Sequence, residues 1–306
     1  MNNQSVAIVA HDAGGAEMLA SYVAHNNVNC KLVLEGPAVN VFKRRLGEIE
    51  IFSLEDAILD CAWCLCGTGW QSDLEWRAIE QAGNANKHVV AFLDHWVNYK
   101  ERFIRNDIQH LPDEIWVGDE DAQKIASESF PDVLIKLVSN PYSIDIKKQF
   151  SEIETVNKNA SCDVENILFV CENISDHARL KYGDERYWGY TEFDAIKFFF
   201  ENIRVISNRQ VRVVIRPHPS DVVGKYKWIV EEYSDIAVLS ECTSLIQEVA
   251  ESDVIVGCES MAMVVGLLAQ KKVISSIPPM GRRCRLPQKN IVHLSEIMPM
   301  NISASN

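Results

Sequence analysis

The sequence predicts an α/β fold made of two Rossmann-like, doubly wound domains that face each other across a cleft. Short apolar segments rich in β-branched residues alternate with segments of helical periodicity along most of the chain. This alternation is typical of buried, mainly parallel sheets covered by helices. It is interrupted once, over residues 142–165, where aliphatic residues are scarce. The length of 306 residues also corresponds to about two domains.

The pattern assigns residues 1–141 to an N-terminal domain and 166–306 to a C-terminal domain, with a linker over 142–165. In the first domain, strands are predicted at 6–10, 31–34, 50–52, 61–66, 88–93, 114–117 and 133–138, and helices at 13–25, 42–46, 54–59 and 72–82. In the second, strands are predicted at 166–170, 211–215, 236–239, 253–256 and 272–275, and helices at 191–206, 226–233, 244–250 and 260–269. Ligands of open α/β sheets bind beyond the carboxyl ends of the strands, so the residues that follow each strand are the candidates for function.

The composition excludes several classes of protein. With 47% hydrophobic and 24% charged residues, the chain has the balance of a soluble globular protein rather than of a disordered one. Its formal net charge of −13 argues against general nucleic-acid binding but leaves room for one basic pocket with one anionic ligand. The first apolar run, Val6–Ala10, lacks a basic flank and is too short to span a membrane. We therefore expect a cytoplasmic protein with reduced cysteines.

The cysteine spacing does not predict a metal site. Cys61, Cys64 and Cys66 fall on one predicted strand, where residues three apart point to opposite faces, so the three thiols do not converge on one ion. The short basic runs 43–45 and 282–285 are typical of solvated surface. The second is also placed to contact an anionic donor or, at most peripherally, an acidic membrane surface.

The most informative motif is Arg216-Pro217-His218-Pro219, directly after a strand of the second domain. The prolines hold the loop extended. Arg216 is a permanent bidentate donor for phosphate or carboxylate, and His218 can give a hydrogen bond or a proton to the same anion. The alternative is a histidine that packs or caps within the loop, but the strand end and the neighbouring arginine favour anion binding.

A second candidate lies two strands later, where a strand runs into Gly257 and a helix opens at Ser260. Backbone N–H groups and the hydroxyl at this helix start can hold a phosphate. Glu259 is placed for a ribose diol or as an N-terminal cap, and the alternative for the whole motif is a capped helix without a ligand. The residues of the second domain expected to contact substrate are Arg216, His218, Gly257, Glu259, Ser260 and Met261, with Glu172 and Asn173 after its first strand.

Together, Arg216–Pro219 and the segment Gly257–Ile274 resemble the donor domain of GT-B-fold glycosyltransferases. The likeness is greatest to bacterial capsule and lipopolysaccharide enzymes of the sialyl- and Kdo-transferase-like families that carry a His-Pro motif. The UDP-sugar 2-epimerases share this fold. The resemblance covers mainly residues 166–280. It implies that His218 and Ser260 contact the donor phosphate and that Glu259 lies near the nucleotide.

In the first domain, the opening strand is followed by His11, Asp12, Gly14 and Gly15 at the start of a helix. The glycines permit close approach of a ligand, and either His11 or Asp12 is a candidate general base for an acceptor hydroxyl. The alternative for Asp12 is a helix N-cap. The full G-x-G-x-x-G pattern is missing here, so a NAD site is not predicted.

Asp94 and His95 follow another strand of this domain and are the second candidate for the base or its orienting partner. Trp96 and Tyr99 in the same loop are suited to stacking on sugar faces. The alternative is a buried polar network that braces the interdomain cleft.

Two further loops give weaker signals. Thr68 and Gly69, with Gln71 nearby, follow the cysteine-rich strand and are expected to line the same site. The aromatic and polar segment 176–190 is either a loop or lid at the cleft or a packed surface loop.

These motifs predict a metal-independent glycosyltransferase that moves a sugar from a nucleotide sugar, a CMP-linked donor being one option, to a surface glycan or lipid-linked acceptor. The second domain would hold the nucleotide and stabilise charge on the leaving phosphate, and the first would supply acceptor and base. No cofactor is expected. Two alternatives stay open: a nucleotide-sugar hydrolase or 2-epimerase on the same fold, and a non-catalytic module that binds sugar nucleotides.

Overall fold

The structure, a computed structural model, describes residues 4–69, 72–154, 163–241 and 244–298. The chain divides between Asp145 and Ile146 into two compact units. Each unit has its own hydrophobic core and a six-stranded parallel sheet, so both are Rossmann-like, as the sequence predicts. Gln71 lies outside the described residues.

The first unit contains a six-stranded parallel sheet and a separate two-stranded hairpin. Its strands are β1 (Val6–Ala10), β2 (Cys30–Leu34), β3 (Trp63–Cys66), β4 (His88–Phe92), β5 (Ile104–Arg105), β6 (Ile108–Gln109), β7 (Glu114–Val117) and β8 (Leu134–Leu137). Its helices are α1 (Ala13–Asn26), α2 (Pro37–Leu46), α3 (Leu54–Asp60), α4 (Leu74–Asn84) and α5 (Glu120–Ser129), with a 3₁₀ turn at Lys100–Phe103. The parallel order is β2-β1-β3-β4-β7-β8, and β5 and β6 form a separate antiparallel hairpin. The order reverses between β1 and β3, where sheets of this kind bind ligands.

The second unit has the strand order of a dinucleotide-type Rossmann sheet. Its strands are β9 (Val164–Val170), β10 (Gln210–Arg216), β11 (Ala237–Leu239), β12 (Val254–Gly257), β13 (Lys272–Ser275) and β14 (Ile291–His293). After α6 (Pro141–Glu154), which spans the boundary between the units, its helices are α7 (Ile174–Tyr182), α8 (Glu192–Glu201), α9 (Ile203–Ile206), α10 (Lys227–Glu232), α11 (Leu245–Glu251), α12 (Met261–Leu268) and α13 (Leu294–Ile297). The parallel order is β11-β10-β9-β12-β13-β14, so the reversal lies between β9 and β12.

Burial explains why the short apolar runs become strands. All 5 residues of β1 are fully buried, as expected for a central parallel strand that is covered on both faces. Leu19 and Val23 of α1, one turn apart, are buried in the same core, together with Phe42 of α2. Within the described residues, no helix combines the length and the apolar character needed to cross a bilayer.

The segment 142–165 begins within a helix. The Asn140 side chain accepts a hydrogen bond from the Ser143 N–H (3.0 Å), and Pro141 occupies the first helical position, where its missing N–H is not needed. Ile146 and Phe150, one turn apart, are buried. The polar residues between them form the exposed side of an amphipathic helix.

Two other segments differ from the sequence prediction. Residues 50–52 make a single bridge, between Ile51 and Leu32, instead of a strand. The segment 176–190 is helical in its first half, as part of α7, and ends at the buried Tyr190. Gly183 ends α7 in the left-handed conformation (φ 74°) that favours glycine.

Candidate functional site

The second unit brings its predicted loops together. Glu172 and Asn173 follow β9, and Gly257 leads from β12 towards α12 on the other side of the strand reversal. His218 lies just beyond β10, which pairs with β9. Hydrogen bonds join the loop after β9 to both of the others, through Glu172 on one side and Asn173 on the other.

The His218 imidazole is fixed through its Nδ1 atom. This nitrogen is 2.7 Å from the Ser220 hydroxyl and accepts the Ser220 backbone N–H at 3.2 Å, while the His218 N–H donates to Asp221 (2.8 Å). Nδ1 thus faces two groups of Ser220, whereas no described residue bonds Nε2. Burial lowers the pKa of His218 despite the nearby Asp221 carboxylate, so the ring is uncharged at neutral pH.

A buried network holds this loop against the residues after β9. Asn173 Nδ2 donates to Ser220 Oγ (3.2 Å), and Asn173 Oδ1 accepts from Lys225 Nζ (3.1 Å). Lys225 Nζ also lies 2.7 Å from Asp221 and 2.5 Å from Glu192, whose side chains are 0% and 3% exposed. Lys225 and Glu192 are residues that the sequence analysis missed, because neither stands at a strand end.

The Glu172 carboxylate occupies part of the position expected for a phosphate. Its Oε1 accepts the backbone N–H groups of Cys258 (2.9 Å) and Glu259 (2.8 Å), just before α12. Burial raises the pKa of Glu172 to about 7, against the effect of these N–H donors. The charge at this point of the site therefore changes near neutral pH.

We expect Glu172→Gln to remove one pH dependence of stability. A glutamate pKa of about 7 in the folded chain exceeds the unfolded value, so the native state binds more protons between the two values. The stability contributed by this group is therefore lost as the pH rises from about 5 to about 8. Glutamine keeps the acceptor oxygen but does not ionise. Over this range the Tm of the wild type should fall relative to that of the variant; parallel Tm curves would contradict the assignment.

Glu259 is held by two arginines. Its Oε1 accepts from Arg282 Nη2 (2.6 Å) and Arg285 Nη2 (2.9 Å), and the Arg282 guanidinium lies 4.8 Å from the centroid of the Trp188 ring. This pairing, rather than a cap on α12, is the role of Glu259 in the structure, and it brings the basic run 282–285 into the site. Ser260 Oγ and Arg282 Nε are enclosed without a hydrogen-bond partner among the described residues. Each is therefore a buried donor whose hydrogen bond is not made by a described residue.

Arg216 forms an ion pair within the protein, whereas the sequence predicted that it contacts a substrate phosphate. Its Nη1 donates to the buried Glu248 carboxylate, which also accepts from the Ser240 hydroxyl. A phosphate bound to Arg216 would place a second negative charge beside Glu248, which disfavours that contact. Within this loop, the His218 side chain is therefore better placed than Arg216 to meet an added anion.

Gly257 is required by packing. A Cβ at this position would lie 2.8 Å from Val170 Cγ2 and 3.1 Å from Met263 Sδ. Met261, the first residue of α12, is partly buried.

We expect Gly257→Ala to lower the free energy of unfolding by about 1–3 kcal/mol, because the added methyl group overlaps buried side chains. Gly83→Ala is the matched control: Gly83 lies in α4, and nothing stands within 4 Å of its added Cβ. That change is expected to be neutral or to stabilise by up to about 1 kcal/mol. Urea denaturation of both variants makes the comparison, and equal effects would contradict the packing argument.

At the edge of the first sheet where its strand order reverses, His11 and Asp12 form a pair. His11 Nδ1 lies 2.7 Å from Asp12 Oδ1. Asp12 occupies the N-cap position of α1, but its side chain makes no capping hydrogen bond. His11 Nε2 packs against Gly36, where an added Cβ would lie only 2.6 Å away. Asp12 Oδ2 has no described hydrogen-bond partner but lies as close to Gly69, and the two side chains are similarly exposed, 19% for His11 and 24% for Asp12.

The glycines of this edge bring protein groups into close contact. An added Cβ at Gly14 would lie 2.3 Å from Asp94 Oδ2, at Gly15 3.4 Å from the backbone after β3, and at Gly69 2.8 Å from Asp12 Oδ2. The small residues expected to admit a ligand are thus needed for the loops themselves to approach. They place Asp12 and Asp94 beside the same helix start.

Asp94 is paired with an arginine that the sequence analysis missed. Arg102 Nη1, from the 3₁₀ turn, donates to Asp94 Oδ1 (2.7 Å) and to Thr68 Oγ1 (2.9 Å). The charged side chains are only 9% and 14% exposed, and Thr68 is buried. A carboxylate held in this way braces the loop, so the geometry favours Asp12 over Asp94 as the base.

The rest of the Asp94 loop also serves structure. His95 Nδ1 accepts the Trp96 N–H (3.0 Å), and the Trp96 indole N–H donates to Asp119 (2.9 Å), which caps α5. Trp96 and Tyr99 are 9% and 4% exposed. The expectation that these two rings stack on sugars is wrong, because they pack inside the unit.

Glu75, in the first turn of α4, is the other residue that the sequence analysis missed. It is 3% exposed, its Oε1 accepts the His11 N–H (2.8 Å), and its Oε2 has no described partner. Burial raises the pKa of Glu75, and the Asp12 charge acts in the same direction. Acidic residues are common in the first turn of a helix because they interact favourably with the helix dipole. The sequence therefore gives no signal that Glu75 bonds the His11 backbone.

Cys64 and Cys66 lie on β3, whereas Cys61, which was predicted on the same strand, follows α3, and all three are buried thiols. Cys61, Cys64 and Cys66 are free, and burial raises the pKa of Cys64 to about 12. Across the parts of the chain that the structure describes, no three His, Cys, Asp or Glu side chains are grouped so as to hold a metal ion.

A scan against protein-family models and a search of curated proteins find no match. Solved structures do match. UDP-GlcNAc 2-epimerase from Methanocaldococcus jannaschii has a TM-score of 0.57 and 12% identity, over 89% of this chain and 83% of that chain. A putative UDP-N-acetylglucosamine 2-epimerase from Listeria monocytogenes has a TM-score of 0.60 and 12% identity, over 90% and 79%. The chain has a GT-B-like fold. A structure of the wall teichoic acid polymerase TagF also matches, with a TM-score of 0.51 and 11% identity over 90% of this chain and 70% of that chain.

Proposed function

We propose that the chain is a glycosyltransferase that transfers a sugar from a nucleotide sugar to a glycan or lipid-linked acceptor. The observation that carries the proposal is His218, an uncharged imidazole fixed beyond β10, next to the strand reversal where Rossmann sheets bind nucleotides. The GT-B-like fold supports the coarser part of the proposal, an enzyme that acts on nucleotide sugars, since the fold is shared with UDP-GlcNAc 2-epimerases and with the teichoic acid polymerase TagF.

The second unit binds the donor phosphate in this proposal. His218 Nε2, Ser260 Oγ and Arg282 Nε are donors without a described partner at the strand ends of one sheet. Negative charge grows on the leaving phosphate as the glycosidic bond breaks, and donors already fixed in place stabilise that charge without reorganisation. Protonation of Glu172, whose pKa is about 7, lowers the repulsion between its carboxylate and the phosphate.

The first unit supplies the base. His11 holds Asp12 Oδ1, so Asp12 Oδ2 is oriented to accept the proton of an acceptor hydroxyl. Asp12, Glu75 and Asp94 lie around this edge, and Arg102 pairs with only one of them. Arg105, bonded to the Gly69 and Ser72 carbonyl oxygens, adds a second positive charge near Asp12 and Glu75, and the carboxylate oxygens suit an acceptor that presents hydroxyl groups.

The test has two stages. A thermal-shift screen of the purified chain with CMP, UDP, GDP and CDP identifies the nucleotide, and the matching nucleotide sugars are then incubated with and without a panel of glycan and lipid-linked acceptors. We expect nucleotide release that depends on the acceptor. Release without an acceptor would indicate a hydrolase, and a change of sugar configuration detected by NMR would indicate a 2-epimerase. Nucleotide binding with neither reaction would leave a binding module, and each of these three results would overturn the proposal.

A further inference from the structure

We propose that Asn173 and Ser220 form a hydrogen-bond relay from the Lys225 ammonium that holds His218 in the tautomer protonated on Nε2. Lys225 is thereby a positioning residue for His218, and Asn173 is a relay residue instead of a substrate contact. The consequence for catalysis rests on the proposed function, whereas the tautomer itself does not.

The direction of the relay follows from Lys225, which can only donate. Its Nζ lies 3.1 Å from the Asn173 side chain, so the atom of Asn173 that faces it must be the carbonyl oxygen. The Asn173 amide nitrogen then faces Ser220 Oγ, 3.2 Å away, and donates to it. Asn173 thereby takes one of the two lone pairs of Ser220 Oγ and leaves the hydroxyl hydrogen free to point at His218 Nδ1, 2.7 Å away.

The backbone acts in the same sense. The Ser220 N–H points at His218 Nδ1 (3.2 Å), and a proton on that nitrogen would oppose it. The His218 N–H is held by Asp221, which also binds Lys225 (2.7 Å), so one ammonium fixes both the backbone and the ring. Burial lowers the pKa of Lys225, but its bonds to Asp221 and Glu192 outweigh this and raise it, so the relay keeps its charged origin across the neutral range.

A fixed tautomer matters because the two nitrogens of a neutral imidazole have opposite roles. With the proton on Nε2, the free side of His218 donates to an anion. With the proton on Nδ1, the same side would present a lone pair and repel a phosphate oxygen. The relay selects the first of these states before any ligand binds.

The tautomer is measured directly by ¹⁵N NMR of the full chain, with the His218 signals assigned by their loss in His218→Ala. The spectra are recorded at about pH 8, where the imidazole is neutral. The groups that face the ring are Asp221 and Lys225 from its own loop and the His177 imidazole from α7. We expect the shifts of a protonated Nε2 and an unprotonated Nδ1. The opposite tautomer, or an equal mixture, would overturn the relay without the need for any variant.

Asn173→Asp tests the direction of the relay. A carboxylate at this position cannot donate to Ser220, so the hydroxyl turns towards it and leaves its oxygen lone pair facing Nδ1. We expect the His218 shifts to move towards the form protonated on Nδ1. Asn140→Asp is the matched control, since an aspartate caps α6 as well as an asparagine does and should leave the His218 signals unchanged. Unchanged His218 shifts in Asn173→Asp would contradict the relay.

Measurements of turnover distinguish a failure of this inference from a failure of the proposed function. If the proposed function holds, the loss of turnover in Asn173→Asp approaches that in His218→Ala. If the wild-type tautomer is as stated but His218→Ala leaves turnover unchanged, the relay stands and the role of His218 in transfer fails.

Discussion

His218→Ala is expected to lower the turnover of the nucleotide sugar by about 10²–10³-fold and to weaken nucleotide binding. The imidazole is the donor that the second unit holds most firmly, and its Nε2–H has no described protein partner to lose. Its contribution grows as charge develops on the leaving phosphate, so kcat should fall by a larger factor than the nucleotide Kd rises. Steady-state kinetics and a nucleotide titration measure the two factors.

The variant should fold normally, because the His218 side chain bonds only Ser220, while Asp221 keeps its contacts with the backbone N–H and Lys225. His88→Ala is a suitable control: His88 is exposed, starts β4 in the first unit, and faces Asp113 and Glu114 at 3.5 and 3.6 Å. It should leave turnover unchanged. Full activity of His218→Ala with the true donor would remove His218 from the site.

The sheets could be predicted because their signal is local. A run such as Val6–Ala10 is apolar throughout, and only a central parallel strand buries every residue in succession. The helix at Pro141–Glu154 was harder to predict, because its buried face is only Ile146 and Phe150 among polar neighbours. Asn140 and Pro141 indicate a helix start, but the same two residues also fit a chain break.

The place of the candidate residues in the fold could be predicted, whereas their hydrogen-bond and ion-pair partners could not. His218, Glu172 and Asp12 lie at strand ends, which topology places at one edge of each sheet. The partners of these residues lie far away in the sequence: the Arg216 side chain pairs with Glu248, 32 positions on, and the His11 backbone N–H donates to Glu75, 64 positions on. No periodicity encodes such contacts. The sequence therefore identifies the candidate residues, and only the folded structure separates those that are paired from those that are free to react.

The second large effect is expected on turnover, and it should differ between variants of Asp12 and of Asp94. Asp12→Asn is expected to lower turnover by about 10²–10⁴-fold while nucleotide affinity stays close to that of the wild type, because the base acts on the acceptor and the donor is bound by the other unit. Asparagine keeps an oxygen for His11 but cannot accept the acceptor proton. The Asp12 side chain is 24% exposed and makes no capping bond, so Tm should change little.

Asp94→Ala should have the opposite profile, since it leaves Arg102 buried without its carboxylate. Loss of one partner from a buried ion pair costs about 3–5 kcal/mol, and this loss should appear as a lower free energy of unfolding in urea. Asp94→Asn, which keeps an acceptor for Arg102, should recover part of that stability and retain turnover. If Asp12→Asn instead loses stability and nucleotide binding while Asp94→Asn loses turnover alone, the roles are reversed. In that case the base acts from within the Arg102 pair, and Asp12 is the residue that braces the loop.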